Sequence, residues 1–352
     1  MSSRPVPALD IGGSHVTAAL VDLAAGEVVP GTFRRHSLCS SGSASGIIDT
    51  IVACARAVPA VQGDTWGVAI PGPFDYQRGV GLFTGVGKFD SLNGVDVGAA
   101  LARSLTGDPA RIRFLNDAHA FVRGESLFGA AAGHDRCAGI TLGTGVGSAF
   151  LASGSICDRG PAVPPEGRVD LLRIGGQPLE DVVSSRAIEG AYYRVTGTRP
   201  ADVAWIAHQA GLGDMTATAV LRGAFEQLGA ALRPWLVSFG ATMLVVGGAM
   251  TGSWKLIEPA LAAGIRRADE PDAPFGIAIS VAARGGDGAL LGAAAYARMT
   301  GALIHGRAED LASMPSYAGS DAGSDGGGAL WPLGGSDRAP CRPCVTWPRS
   351  RG

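Results

Sequence analysis

Two glycine-rich segments of the chain have the composition of turns that bind phosphate groups. The first reads LDIGGSHV and covers residues 9–16, and the second reads LGTGVGS and covers residues 142–148. Glycines in a tight turn let backbone N–H groups approach an anion, and a nearby hydroxyl adds a further hydrogen bond. The candidate phosphate contacts are therefore Gly12, Gly13, Ser14, Gly143, Thr144, Gly145 and Gly147.

Each glycine segment alone is as consistent with an ordinary hairpin as with a phosphate site. The pair is more informative, because a nucleoside triphosphate held between two lobes needs one such turn from each lobe. Neither segment matches GxxxxGKS, and neither is a GxGxxG between a strand and a helix. The sequence thus favours a phosphate-binding cleft and excludes the P-loop and the dinucleotide-binding templates.

A third candidate is the run FLNDAHA, which covers residues 114–120. It places Asn116 and Asp117 where a predicted strand ends and a predicted helix begins. A carboxylate outside the carboxyl end of a strand can meet a ligand in a cleft. Asp117 is therefore a candidate base for a hydroxyl that attacks a phosphoryl group. The structural alternative is that Asp117 is the N-cap of the helix, and the two roles are compatible.

A fourth candidate is the Pro- and Gly-rich loop within residues 66–97, which carries Lys88 and Asp90. Long loops inside compact domains usually serve a function. The alternative is a solvated connection whose charges face water, as we expect for Arg78. The sequence leaves both interpretations of Lys88 and Asp90 open.

The elements that must position these residues form two mixed α/β lobes. Each lobe begins with a glycine-turned hairpin, and the similarity of the two hairpins suggests an internal duplication. We predict one strand over residues 27–36, a helix over 180–194 and a closing helix over 286–300. The predicted units are residues 1–115, residues 116–300 and a disordered tail of residues 301–352, which is rich in Gly, Ser, Asp and Pro.

Composition excludes several classes of protein. The formal net charge of -2 leaves no excess of basic residues for a nucleic-acid backbone. Six scattered cysteines and an N-terminus without a signal pattern indicate a reducing cytoplasm. The most apolar stretches are short and interrupted by glycine, so no membrane span is predicted. We expect neither nucleic acid nor a membrane as partner.

Five motifs, in this order, resemble the ROK family of bacterial sugar kinases and sugar-responsive repressors over about residues 6–300. They are LDIGGSHV, IPGPFD, LNDA, LGTGVG and LVVGGAM. The resemblance implies a two-lobed actin/hexokinase-type (ribonuclease H-like) α/β fold with an interlobe cleft. It implies transfer of the ATP γ-phosphate to a primary hydroxyl, most simply of a hexose. Asp117 would be the base, and Asp10 would position Mg²⁺ through water.

The same resemblance suggests where the two substrates bind. Gly247 and Gly248 would lie against adenosine, and the loop that begins with Gly72 and Pro73 would open the sugar pocket. The substrate-binding residues implied are Gly72, Pro73, Lys88, Asp90, Asn116, Asp117, Glu166 and Glu180. A homodimer is compatible with this assignment.

The sequence departs from the family at its zinc site. Family members carry an ExGH sequence followed by CxCGxxGCxE, whereas residues 163–188 here contain neither His nor Cys. We therefore expect no structural zinc, and the lone pair Cys341 and Cys344 is a weak zinc signal. By the same resemblance, Glu166 would stand in for the sugar-binding Glu, and Glu180 for the Glu that closes the zinc segment. For Glu180, a plain acidic residue in a first helical turn is the alternative.

The sequence leaves other functions open. Within the kinase class, the alternative substrate is an aminosugar or a C7-cyclitol of a natural-product pathway. A sugar-responsive repressor is disfavoured, because the first hairpin begins within ten residues of Met1 and leaves no room for a DNA-binding segment. A non-catalytic binding module is opposed by Asp117 together with both hairpins.

Overall fold

The structure, a computed structural model, describes residues 4–61, 63–266 and 276–305. The predicted tail beyond residue 305, with Cys341 and Cys344, lies outside the described residues. Within the described ranges, no helix is both long enough and apolar enough to cross a bilayer.

The first half of the chain forms a mixed sheet with two helices. Its elements are β1 (Val6–Ile11), β2 (His15–Asp22), β3 (Glu27–Val28), β4 (Arg34–Ser37), α1 (Ala44–Arg56), β5 (Trp66–Ile70), β6 (Phe74–Asp75), β7 (Val80–Gly81), α2 (Val97–Leu105) and β8 (Ile112–Asn116). The strand order is β3-β2-β1-β5-β8, and β4 also pairs with β2. β1 and β2 are antiparallel, whereas β5 is parallel to β1 and β8 is parallel to β5.

The second half repeats this arrangement. Its elements are α3 (Asp117–Phe128), β9 (Arg136–Leu142), β10 (Val146–Ala152), β11 (Ser155–Ile156), β12 (Arg173–Ile174), β13 (Gln177–Pro178), α4 (Glu180–Val183), α5 (Ser185–Thr196), α6 (Val203–Gly211), α7 (Met215–Phe239), β14 (Met243–Gly247), α8 (Trp254–Arg266), β15 (Ala278–Val281) and α9 (Gly288–His305). The order β11-β10-β9-β14-β15 is again a hairpin followed by two parallel strands. The shared order agrees with the duplicated hairpins of the sequence.

Short polar side chains set where the helices begin. Ser43 precedes α1, Asp96 precedes α2, Asn116 precedes α3 and Asp214 precedes α7, and each accepts a hydrogen bond from a backbone N–H of the first turn. Such caps satisfy donors that have no partner within the helix. The start of α3 is therefore determined locally, at the end of strand β8.

Helix α9 returns to the first sheet and also packs against α3. Leu290 and Ala294 are fully buried, in one cluster with Val6 and Ala8 of β1. Gly292 faces the backbone of α3 so closely that a larger residue would clash. The helix continues to His305, five residues past the predicted boundary at residue 300.

Two element predictions were wrong. The strand predicted over residues 27–36 is two short strands, because the hydroxyl of Thr32 donates to the carbonyl of Val29 and holds a turn between them. The helix predicted over 180–194 is divided into α4 and α5 at Ser184. This residue has extended backbone angles, and its side chain caps α5. In both cases a hydroxyl bonds to nearby backbone and competes with the regular element.

Candidate active site

The first glycine hairpin joins β1 to β2 and lies beside Lys88. The N–H of Gly12 donates to the carbonyl of His15 at 2.9 Å, which closes the turn. A methyl group built on Gly13 would lie 3.8 Å from Cδ of Lys88. Ser14 is exposed, and its Oγ lies 3.0 Å from Nδ1 of His15. The turn thus brings glycine backbone, a hydroxyl and a cation together, which is a suitable setting for a phosphate group.

The second glycine hairpin joins β9 to β10 and is held by Glu180. The Gly143 N–H donates to the carbonyl of Gly145 at 3.1 Å, and Thr144 is exposed at the tip. Oε1 of Glu180 accepts the N–H of Val146 at 2.7 Å. Glu180 is also the first residue of α4, so it is an acidic residue of a first helical turn as well. The carboxylate of Glu180 therefore serves to hold the second hairpin in place.

The carboxylates of Asp10 and Asp117 lie at the carboxyl ends of two strands of the first sheet, β1 and β8. Burial raises the pKa of Asp10 to about 7, and the negative charge of Asp117 adds to this rise while Arg35 opposes it. Thr17 pairs with both Asp10 and Arg35, which places the three residues in one row across the sheet. Burial also raises the pKa of Asp117, and the positive charge of Lys88 opposes that shift. A raised pKa makes a carboxylate a better proton acceptor.

The N-cap of α3 is Asn116, so the alternative that assigned this role to Asp117 is wrong. Oδ1 of Asn116 accepts the N–H of Ala118 at 3.0 Å and that of His119 at 3.3 Å. Its Nδ2 donates to the hydroxyl oxygen of Tyr76 at 3.0 Å. Asp117 follows as the first helical residue, with Oδ1 2.9 Å from the N–H of Ala118. The capping role thus falls on the amide of Asn116, and the carboxylate of Asp117 is not needed for it.

We predict an acid limb near pH 7 in the pH profile of kcat/KM. If Asp10 must be ionised for function, its raised pKa means that activity falls by about tenfold for each pH unit below 7. Histidine is the usual source of such a limb, but burial lowers the pKa of His119 to about 4 and also lowers that of His15. H119Q should therefore retain the limb. A flat profile between pH 5 and 8, or loss of the limb in H119Q, would contradict the assignment.

The loop residues predicted for the sugar pocket are only partly brought together. Gly72 lies beside Tyr76, whose hydroxyl oxygen would be 3.2 Å from a methyl group on the glycine. Pro73 is exposed. Asp90 accepts two backbone N–H groups of its own loop at 3.1 and 3.3 Å, so its carboxylate braces that loop.

Glu166 lies in a short turn beside Arg168. Its side chain is 71% exposed, and its Oε2 is 3.3 Å from Nη1 of Arg168. The same guanidinium contacts the carboxylate of Asp170, with an Nη2 to Oδ2 distance of 2.6 Å. The positive charge of Arg168 also acts on Tyr76, in which burial is the main cause of a raised pKa. Glu166 is therefore held in an ion-pair cluster with Arg168 and Asp170.

Gly247 and Gly248 have packing reasons to be glycine. A methyl group on Gly247 would lie 2.5 Å from the ring of Phe121, and Gly248 has a φ of +93°, which larger residues rarely adopt. Residues that follow β14, among them Met250 and Trp254, line a cavity of about 830 Å³ together with residues of α6. Ligand pockets commonly have volumes of this order.

The described residues contain no group of three or more His, Cys, Asp or Glu side chains placed to hold a metal ion. The segment at the expected zinc position forms β12, β13 and the start of α4. Mg²⁺ in phosphoryl transferases usually needs only one or two carboxylates, since substrate phosphates and water supply the other ligands. Asp10, a carboxylate beside the first hairpin, fits that requirement. The absence of zinc stays a prediction.

Sequence reasoning missed Tyr76, Arg35 and Arg168. Tyr76 directly follows IPGPFD, and an aromatic residue in a candidate pocket loop was a usable signal. The other two carried no signal, because Arg35 comes near Asp10 only through strand register, and the charge of Arg168 acts on Tyr76 only once the second half has folded.

Solved structures share this architecture. A ROK family glucokinase from Streptomyces griseus, in complex with glucose and AMPPNP, matches with a TM-score of 0.68 and 24% identity, over 84% of this chain and 99% of that chain. A ROK family transcriptional regulator, a homologue of the E. coli MLC protein, matches with a TM-score of 0.68 and 19% identity, over 84% and 78%. The fold is thus the two-lobed actin/hexokinase type, and the fold prediction is confirmed.

The chain belongs to the ROK family, whose model matches residues 6–300. The glucokinase of Thermotoga maritima is 27% identical over 212 residues, which is 54% of this chain and 65% of that glucokinase. The aligned part is slightly less than two thirds of that relative. The family resemblance found in the sequence is confirmed, and the presence of a transcriptional regulator among the matches means that family alone does not separate kinases from regulators.

Proposed function

We propose that this protein is an ATP-dependent kinase that phosphorylates a hydroxyl group of a sugar or a sugar-like compound. The observation that carries this proposal is the position of Asp117. Its raised pKa suits a base, and the charges of Asp10 and Lys88 act on the same site beside the first glycine hairpin. A phosphoryl transferase needs a base for the acceptor next to fixed contacts for the phosphates.

In the proposed reaction, Asp117 takes the proton of the acceptor hydroxyl while the acceptor oxygen bonds to the γ-phosphorus. The bond from that phosphorus to the ADP oxygen breaks. Asn116, fixed by its capping bonds and by Tyr76, would orient the acceptor. Backbone N–H groups of the two hairpins, with the hydroxyls of Ser14 and Thr144, would bind the phosphates. Asp10 would hold Mg²⁺ through water, and the ion when bound offsets phosphate charge.

Adenosine is proposed to enter the cavity that follows β14. Met250 and Trp254 supply apolar surface there, while Asp202 and His208 of the same lining supply polar groups. This mixture is typical of small-molecule sites. Closure of the two lobes would exclude water, which otherwise competes with the sugar for the phosphoryl group.

For the acceptor we propose a hexose first and an aminosugar or C7-cyclitol second. The second choice is favoured by the ion-pair cluster of Glu166, Arg168 and Asp170, which occupies the region where other family members have a histidine and a zinc segment. A repressor is the candidate from a different class. A carboxylate with a raised pKa next to candidate phosphate contacts favours the kinase, because sugar sensing alone requires no proton acceptor there.

The test is ADP release from MgATP across a panel of hexoses, aminosugars and cyclitols, with mass spectrometry of the products. We expect acceptor-dependent ADP formation that requires Mg²⁺ and persists with a zinc chelator. Tight sugar binding without acceptor-dependent ADP would support the sensor instead. Loss of activity on zinc chelation would contradict the zinc-free prediction and leave the kinase proposal intact.

A further inference from the structure

Lys88 is anchored on both sides in the loop that follows β7. The next residue, Phe89, is fully buried, with its ring centroid 5.3 Å from that of Phe83. Its backbone N–H donates to the carbonyl of Ser40 at 2.7 Å. On the other side, the carboxylate of Asp90 holds the two loop residues that precede Lys88. The backbone at Lys88 is therefore held from both directions.

The backbone of Phe89 is itself unusual. It has a φ of 60° and a ψ of 15°, in the left-handed region that bulky residues seldom adopt. Non-glycine residues in this region concentrate at functional sites, where surrounding contacts hold them in place. Phe89 directly follows Lys88. The loop therefore adopts an unfavourable backbone conformation at the position that sets the direction of the lysine side chain.

The lysine side chain lies near both the glycine turn proposed to bind the ATP phosphates and the carboxylate proposed to deprotonate the acceptor hydroxyl. Its Cδ is 3.8 Å from a methyl group built on Gly13 of the first hairpin. Burial raises the pKa of Asp117, and the charge of Lys88 is the largest effect that opposes this rise. Among the described residues, no carboxylate oxygen lies within 4.0 Å of the lysine Nζ. The ammonium group is thus positioned in the site without an ion-pair partner there.

We propose that Lys88 contacts the phosphoryl group during its transfer and offsets the negative charge on its oxygens. The inference rests on the proposed kinase function, and it differs from the expectation that Lys88 binds the acceptor. Asp117 receives the acceptor proton, and Lys88 keeps its own proton throughout. A fixed cation beside oxygens that gain negative charge during the reaction stabilises the transition state more than the ground state.

Replacement of Lys88 by methionine should therefore act on turnover. We expect K88M to lower kcat by about 10²–10³-fold, the range for loss of one preorganised electrostatic contact, with little change in the acceptor KM. K88R keeps the charge and should recover part of the loss. R78M removes an exposed cation from the preceding turn and should leave kcat unchanged. Unchanged kcat in K88M, or an effect on the acceptor KM alone, would overturn the proposal.

A pH profile separates this role from a merely structural one. Arg35 from β4 and the carboxylate of Asp117 act on Asp10, whereas Lys88 from the loop acts on Asp117. The acid limb of kcat/KM requires the ionised form of both carboxylates. Because Lys88 lowers the pKa of Asp117, its loss should raise that pKa and move the limb to higher pH. Lower activity with an unmoved limb would mean that K88M only disturbs the loop.

A labelling experiment tests the phosphate contact without relying on turnover. Lys88 and Lys255 are the only lysines in the sequence, so peptide mapping of the unaltered chain follows the modification of each lysine separately. MgATP should slow modification of Lys88 by an amine-reactive reagent, and panel acceptors alone should not. Protection by an acceptor and not by MgATP would overturn the proposal. If no acceptor is phosphorylated but MgATP protects Lys88, the kinase proposal fails while the nucleotide contact stands.

Discussion

Replacement of Asp117 by asparagine should lower kcat by about 10²–10⁴-fold, the usual contribution of a general base. The amide has the size of the carboxylate, and its oxygen can still accept the N–H of Ala118, but it cannot take the proton of the acceptor hydroxyl. Acceptor affinity, measured by calorimetry, should change little. Steady-state ADP release with the best acceptor of the panel measures the loss.

The stability of D117N distinguishes lost chemistry from lost structure. The pKa of Asp117 is raised in the folded protein, so above its unfolded pKa the ionised carboxylate opposes folding. Removal of this charge should leave the thermal midpoint at neutral pH unchanged or higher. D49N is a matched control, since it removes one carboxylate from an exposed position of α1. A near-normal kcat in D117N would remove Asp117 from the mechanism.

Replacement of Glu125 by leucine should lower the free energy of unfolding by about 3–5 kcal/mol, because three backbone donors would lose the buried carboxylate that accepts their hydrogen bonds. Glu125 is fully buried near the end of α3. Its carboxyl oxygens accept the N–H groups of Ala130 at 2.8 Å, Ala283 at 3.0 Å and Arg284 at 2.8 Å. One side chain thereby ties α3 to the segment that leads from β15 into α9.

Two further variants refine the Glu125 experiment. E125Q should cost less than E125L, since one oxygen remains, but the new NH₂ group must face at least one backbone donor. E226Q is the matched control, because Glu226 pairs with Arg222 on the surface of α7 and such pairs contribute about 0.3–0.5 kcal/mol. Urea unfolding of all three variants measures the differences. A loss in E125L no larger than that in E226Q would show that the network adds nothing to stability.

Local patterns were sufficient for much of the fold. The two glycine turns, the strand that ends in Asn116 and the order of the five motifs are short-range features, and they predicted the two-lobed fold and the family, both of which are confirmed. Prediction failed where hydroxyl groups made short-range bonds to backbone, as Thr32 does between β3 and β4 and Ser184 does between α4 and α5.

The sequence by itself determined which residues could do chemistry, since residue type and position relative to a strand end are local properties. Only the tertiary structure decided how they are combined. Asn116 and Asp117 are both residue types that cap helices. In the folded protein it is the side chain of Asn116 that accepts the N–H groups of the first turn of α3. Lys88 reaches the first hairpin, and Tyr76 reaches Asn116, across separations of many residues. Such contacts depend on strand register and on packing of the whole chain, which no short pattern encodes.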